Sequence, residues 1–399
     1  MPAMRAPLPF ATMLVAACLA VTTLSAQPAA DAAAMIARVE GPQTPNRQGL
    51  DALTLAEVMR RFRVPGVSVA VIKDFQIHWA KGYGVADAGS GRAVEIDTVF
   101  QAASISKPVT AMAAMRLIQG GALGLDDDVN KQLKAWKVPD SEHTRPQPVT
   151  PRSLMSHTSG ADDGFGFPGY EPSAPRPGVV QVLNGEAPSN VGRVTFGRPP
   201  YAAFKYSGGG VTLMQLLLTE VTGEAFAPLM RERVLTPLGM TGSTFEQPLP
   251  EAWTARAAHA HNGQGVHGAV PWHVYPEQAA AGLWTTPTDL ARFAIEVQRA
   301  VRGPIGTLLS QASAREMTSP VGTGPYAVGF AVEKRSEGWY FSHGGSNWGF
   351  RCSLVAHIRK GYGVVVMTNG DAGGGVIAEI EARVAAAYGW DSLDKPLLR

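Results

Sequence analysis

The stretch QAASISKPVTAM, Gln101 to Met112, places Ser104 three positions before Lys107. Residues so spaced share one face of a helix, so the lysine nitrogen can reach the serine hydroxyl. A serine attacks a carbonyl only when a base takes its proton. A lysine can be that base once burial or a neighbouring cation lowers its pKa. The positive end of a helix also favours an oxyanion forming at its tip. Pro108 suits the first turn of a helix rather than its interior, which sets Ser104 at or just before that turn, open to a substrate. A serine-x-x-lysine pattern nevertheless arises by chance about once in a chain of this length. Ser392-Leu393-Asp394-Lys395 is a second match, in a polar tail without helical periodicity.

Other candidate groups follow along the chain. Tyr206, in Lys205-Tyr206-Ser207-Gly208-Gly209-Gly210, lies just before a helical pattern. A phenol shuttles protons if a nearby lysine lowers its pKa; the alternative is an aromatic anchor at a helix entry. Ser342-His343-Gly344-Gly345-Ser346-Asn347 falls between two strand patterns. Gly344 and Gly345 can let a substrate backbone approach like an added strand, and His343 can donate to a carboxylate or carbonyl. Glycines that serve only a turn are the alternative there. His157 in Leu154–Gly160, LMSHTSG, suits a structural role, bonding neighbouring loops. His259, His261, His267 and His273 lie close in sequence, but acidic or cysteine ligands near them are sparse, so no metal and no cofactor are expected.

These groups need elements to position them. Leu50–Phe62 has helical spacing, and Val67–Ile72 with Gln76–Gly84 reads as a hairpin. From Ser104 the pattern is helical as far as Gly120-Gly121, and Val211–Thr222 and Thr288–Gln298 are further helices. Ala161–Pro200 is Gly/Pro-rich with little periodicity, which in a compact protein marks a lid or binding loop. Strands return at Tyr326–Glu333, Trp339–His343, Phe350–His357 and Tyr362–Asn369, before an amphipathic helix at Val376–Tyr388. An antiparallel sheet built from both chain ends, flanked by helices and holding a large mostly helical insert, is the economical arrangement. The α/β part then covers about 49–103 and 299–390, and the helical part about 104–298.

The 399 residues carry a net charge of +2, with 45% apolar and 17% charged residues, enough for a sizeable core. No long basic run supports nucleic acid as a partner. Arg5, the apolar run Phe10–Leu24 and Ser25-Ala26-Gln27 form the pattern of a secretory signal peptide cut after Ala26. Val15-Ala16-Ala17-Cys18 offers the alternative of a lipoprotein box, with membrane contact only through a lipidated Cys18. Gln27–Gln48 reads as a linker. Only Cys18 and Cys352 exist, so cleavage leaves Cys352 without a disulfide partner, as suits a Cys-poor exported enzyme of a bacterial periplasm. No motif for a protein partner is present; the partner expected is a small-molecule or peptide substrate.

Taken in order, the motifs resemble the penicillin-recognising serine hydrolases, the superfamily of class C β-lactamases, D-Ala-D-Ala carboxypeptidases, D-aminopeptidases and family VIII carboxylesterases. The resemblance spans Leu50 to Tyr388 and rests on Ser104-x-x-Lys107, LMSHTSG, Tyr206-Ser207-Gly208, Pro237-Leu238-Gly239-Met240, Gly282-Leu283-Trp284-Thr285-Thr286-Pro287-x-Asp289-Leu290 and His343-Gly344-Gly345. It implies a β-lactamase/transpeptidase-like fold with the site between the α/β and helical parts. It implies Ser104 as acylated nucleophile, Lys107 and Tyr206 as base pair, and an oxyanion hole of the Ser104 and Ser346 backbone N–H groups. The family pattern is broken twice. Gly208 stands where an asparagine amide usually binds substrate, and His343 stands where lysine is common. A neutral imidazole holds a carboxylate less firmly than an ammonium. Asn347 offers a replacement amide. With the signal pattern, the resemblance thus leads to an exported hydrolase of esters or D-amino-acid peptides as the expectation, with a β-lactamase, or a sensor that acylates without turnover, as alternatives.

Overall fold

The computed structural model describes residues 26–43, 49–163, 166–303, 307–335 and 338–390. The expected signal segment, Cys18 and the Ser392–Lys395 match lie outside them. Helices α1 (Ala26–Glu40) and α2 (Leu55–Phe62) lead into the hairpin of β1 (Gly66–Lys73) and β2 (Gln76–Asp87). Asp74 and Phe75 turn that hairpin with φ of 54° and 60°, the left-handed geometry that matches strand twist. Short strands β3 (Arg92–Ala93) and β4 (Phe100–Gln101) precede α3 (Ser106–Gln119). The insert then carries α4 (Pro151–Met155), α5 (Val179–Asn184), α6 (Gly208–Thr222), α7 (Phe226–Met230), α8 (Glu251–Thr254) and α9 (Gln278–Ala281). It continues through β5 (Trp284–Thr285), α10 (Pro287–Arg302) and α11 (Gln311–Glu316). The chain closes with β6 (Ala331–Arg335), β7 (Gly338–Asn347), β8 (Phe350–His357), β9 (Gly363–Thr368) and α12 (Gly373–Tyr388).

The main sheet has the order β3-β2-β1-β9-β8-β7-β6, so its middle joins the first hairpin to the last strand. Val67 pairs with Thr368 and Ile72 with Gly363, antiparallel, which closes the chain ends onto one another. Alternation along the strands separates two cores. Val67, Val69, Val71, Val364 and Val366 pack under α2 and α12. Ala70, Ile72, Val365 and Met367 face the other way, into the core that contains α3 and α10. Helix α3 is buried on all sides from Ser106 to Met115, as befits a helix in the middle of a large core rather than on its surface.

One expectation is corrected at the N-terminus. The segment read as a linker from Gln27 forms α1 as far as Glu40; residues 44–48 lie outside the described residues. Its alanines are strong helix formers, and its end is docked. Val39 is fully buried, and the buried Arg383 of α12 donates to the carbonyls of Val39 and Gly41. Sequence composition registered the alanines but not the arginine more than 340 positions away that fixes their helix.

Candidate active site

Ser104 lies on a single 3-10 turn, Ala103–Ile105, with α3 starting at Ser106 and Pro108 in its first turn. Ala103 holds φ at 49°, a left-handed conformation uncommon for a residue with a Cβ. The turn is pinned from both sides. Ser106 Oγ donates to Ala103 O (2.6 Å) and accepts from Leu283 N (3.0 Å), while Ala102 N donates to Leu283 O (2.8 Å). The Gly282–Leu290 motif is thus the brace behind the serine. On the other side β7 presses in so closely that a Cβ on Gly345 would stand 2.3 Å from Ala102 O and from Cys352 Sγ. Gly345 serves this approach of strand to turn, whereas Gly344 is exposed.

Lys107 is 3% exposed, and its Nζ sits 2.9 Å from Ser104 Oγ and 2.9 Å from Ala280 O. Burial disfavours the ammonium and brings its pKa down to about 7, against the opposing pull of Asp163. Tyr206 completes the group, with its ring 5.0 Å from Lys107 Nζ and its phenol hydrogen-bonded with Ser104. Burial pushes the phenol well above its ordinary value of 10, and the Ser104 bond only partly offsets this. The condition set for a lysine-activated phenol is not met: desolvation raises the phenol, and Tyr206 stays protonated near neutral pH.

His157 holds the tyrosine in place. It accepts at Nδ1 from Ser207 N (3.2 Å), its carbonyl accepts from Lys205 N (2.9 Å), and its ring lies 4.2 Å from that of Tyr206. Burial and the nearby Lys107 keep it neutral, with its pKa well below 6.5. Asp163 is a residue that sequence reasoning missed. It accepts from Ser207 Oγ and from Gly209 N (2.7 Å), fastening the Gly/Pro-rich segment to the start of α6. The available signal was a helix start rich in glycine with no acid in its own first turn.

His343 departs from its expected role. Its Nδ1 lies 2.6 Å from the Gly344 carbonyl, which can only accept, so Nδ1 carries the proton. Nε2 is left as a bare lone pair, buried and without a hydrogen-bond partner. Burial and the charge of Lys107 hold the pKa at about 3, so the ring is a neutral acceptor at physiological pH. It cannot donate to a carboxylate. Asn347 is likewise corrected: its Nδ2 donates to Gln101 Oε1 (2.8 Å) and Ala281 O (3.1 Å), so no amide proton remains for a substrate. Gly344 and Ser346 are exposed, and Gly345 and Asn347 border the same cavity as Ser104, Tyr206 and His343. Its volume is about 1150 Å³.

Arg351 also borders this cavity but is committed, through Nη1 to the carbonyls of Asn347 and Phe350 (both 2.7 Å) and through Nη2 to Asp371 (3.0 Å). Cys352 is buried, its Sγ 2.9 Å from Ala102 O and its thiol pKa raised by burial, so it is no rival nucleophile. The clustered histidines take other contacts: His261 bonds Asn369 O and Ala88 N, whereas His273 borders the cavity, bonds Pro168 O and stacks on Trp348.

The profile of the family described as Beta-lactamase matches residues 52–388. The chain belongs to the beta-lactamase family. It is 31% identical over 324 residues to Penicillin-binding protein 4 of Amycolatopsis lactamdurans, covering 77% of this chain and 81% of that protein. It is 27% identical over 336 residues to Esterase EstB of Burkholderia gladioli, covering 75% and 81%. The structure of EstCE1, a hydrolase with promiscuous acyltransferase activity, superposes with a TM-score of 0.70 at 22% identity, over 90% of this chain and 100% of that one. The relatives support a serine hydrolase, and the seven-stranded sheet with its helical layers is the fold they share.

This beta-lactamase-family chain also buries a carboxyl beneath the site. Glu277 precedes α9, whose Ala280 carbonyl holds Lys107; it is fully buried, with no other residue hydrogen-bonded to its carboxylate. Burial raises its pKa from 4.5 to about 7. The unfolded carboxyl ionises first, so stability falls as pH rises from 4.5 to 7 and stays low above that window, by about 3 kcal/mol. Urea denaturation of Glu277→Gln at pH 5 and pH 8 should show the variant gaining on the wild type far more at pH 8 than at pH 5. An equal difference at both values would disprove the ionisation.

Proposed function

We propose that this protein hydrolyses uncharged carboxylic esters through an acyl-enzyme on Ser104. The observation that carries this is that, among the described residues, no lysine or arginine at the cavity is uncommitted for a substrate carboxylate, and His273 there spends its Nδ1 on Pro168 O. His343 presents a lone pair, Arg351 is taken by Asp371 and two carbonyls, and Lys107 is held at Ser104 and Ala280. A carboxylate beside the His343 lone pair would be buried against an acceptor, at a cost of about 1–3 kcal/mol or more. The kinship to an esterase supports the same choice.

In this mechanism neutral Lys107 takes the Ser104 proton as the hydroxyl attacks the ester carbonyl. Tyr206, protonated and bonded with Ser104, relays a proton to the departing alkoxide. The N–H groups of Ser104 and Ser346 receive the oxyanion. Water then repeats the sequence on the acyl-enzyme and releases the acid. A D-amino-acid peptidase is the second reading, favoured by one observation: β7 pairs with β6 only up to Ser342, leaving its 343–347 edge for an extended peptide. The signal pattern ending at Ala26 supports export.

The test is one purified enzyme against short-chain p-nitrophenyl esters, a chromogenic cephalosporin and D-Ala-terminated peptides. Neutral esters should exceed the carboxylate-bearing substrates in kcat/KM by about 100-fold or more. Preference for the peptides would replace this reading with the second, and an intact-mass adduct without turnover would make the protein a sensor.

A further inference from the structure

Gly208 opens α6, two residues after Tyr206. A Cβ built there would lie 2.9 Å from Phe167 Cε2 and 3.1 Å from its Cζ. The ring of Phe167 therefore occupies the space that any side chain at position 208 would enter. Phe167 borders the cavity with Ser104 and Tyr206, and it also packs against the main core. It is not a loosely hung loop residue. The chain after it is tied at Pro168 O to His273 Nδ1 (2.9 Å), and Tyr170 and Val274 exchange backbone hydrogen bonds of 2.9 and 2.7 Å. The chain before it is tied at Asp163 to Ser207 and Gly209. Phe204 and Tyr326, stacked at 5.3 Å, line the same cavity.

We propose that Phe167 and the bare Gly208 form one specificity element, an apolar wall beside Tyr206 that accepts a hydrocarbon part of the ester and rejects an amide-bearing one. This rests on the ester-hydrolase reading above and adds the substrate class to it. An amide seated against this wall loses water and finds a phenyl ring in place of a polar side chain, so its N–H and C=O go unpaired. The two positions are coupled: a polar side chain fits at 208 only when the Phe167 ring is gone.

The test uses two matched pairs of esters. In the acyl pair, p-nitrophenyl butyrate is set against p-nitrophenyl N-acetylglycinate. In the alcohol pair, hexyl acetate is set against 2-acetamidoethyl acetate. The wild type should favour the hydrocarbon member of one pair by about 100-fold in kcat/KM, and that pair identifies which side of the ester meets the wall. Phe167→Ala should cut that ratio about tenfold and leave the other pair unchanged. Gly208→Asn alone should depress turnover of all four esters, and Phe167→Ala with Gly208→Asn should recover turnover and favour the amide member. Ratios within about threefold in both pairs for the wild type, or no change in either pair in Phe167→Ala and the double variant, would overturn the proposal while leaving ester hydrolysis intact. No turnover of any ester by the wild type would instead sink the ester-hydrolase reading, and this proposal with it.

Discussion

Ser104→Ala should abolish the proposed ester turnover, a fall of about 10³-fold or more in kcat. The expectation follows from the lack of a substitute at the cavity among the described residues. Ser106 is buried and its hydroxyl is spent between Ala103 O and Leu283 N. Ser346 is exposed on β7, whereas Lys107 bonds Ser104 and Ala280. The Cys352 thiol is buried, with its pKa raised and its sulfur against Ala102 O. The substitution removes a half-buried hydroxyl and no core packing, so thermal denaturation should find the variant folded. Intact-mass spectrometry should detect an acyl adduct on the wild type with a slow ester and none on the variant. Retained turnover in folded Ser104→Ala would end the assignment.

The second large effect is on the pH profile. If Lys107 takes the proton, only its neutral form is active, and its pKa lies at about 7 because burial penalises the ammonium. The sign is then definite. Below pH 7 each unit of acidity lowers kcat/KM tenfold, so pH 5 should lie about 100-fold below the plateau, which begins above pH 7. Tyr206 cannot supply this inflection, because its burial moves the phenol in the opposite direction, well above 10. His157 and His343 cannot supply it either, since both are held neutral through this range. Lys107→Met should lower the plateau by about 10²- to 10³-fold and flatten the profile between pH 5 and 8. An inflection near 7 that survives in Lys107→Met would assign the titration to another group.

Much of this site was legible before any fold was known. Helix periodicity ran from Ser104 to Gly120, and Pro108 marked the first turn, which is where α3 begins. The strand Phe350–His357 was bounded by its turns, because half-buried strands alternate and turns carry Gly and charge. Local rules suffice where the partners lie within a few residues. They failed at α1, whose docking depends on Arg383 of α12, and at α5, inside a segment with no clear period. They failed again at His343 and Asn347. Residue type says that an imidazole and an amide can donate, and only the neighbours reveal that those protons are already spent.

The sequence by itself determined the two-ended origin of the sheet, through periodicity and turn chemistry that act over a few residues. The candidate reacting groups, Ser104, Lys107 and Tyr206, came from the ordered motifs and the family resemblance they carry. The tertiary structure decided their protonation. Burial of Lys107 brings an ammonium within reach of neutrality, and burial of Tyr206 does the reverse to a phenol. The same burial, together with the Gly344 carbonyl, turns His343 from a donor into an acceptor. Phe167 meets Gly208 in a segment where Asp163 bonds Gly209 N and Pro168 O bonds His273. Desolvation and long-range contact are properties of the packed chain, and no local pattern of residues encodes them.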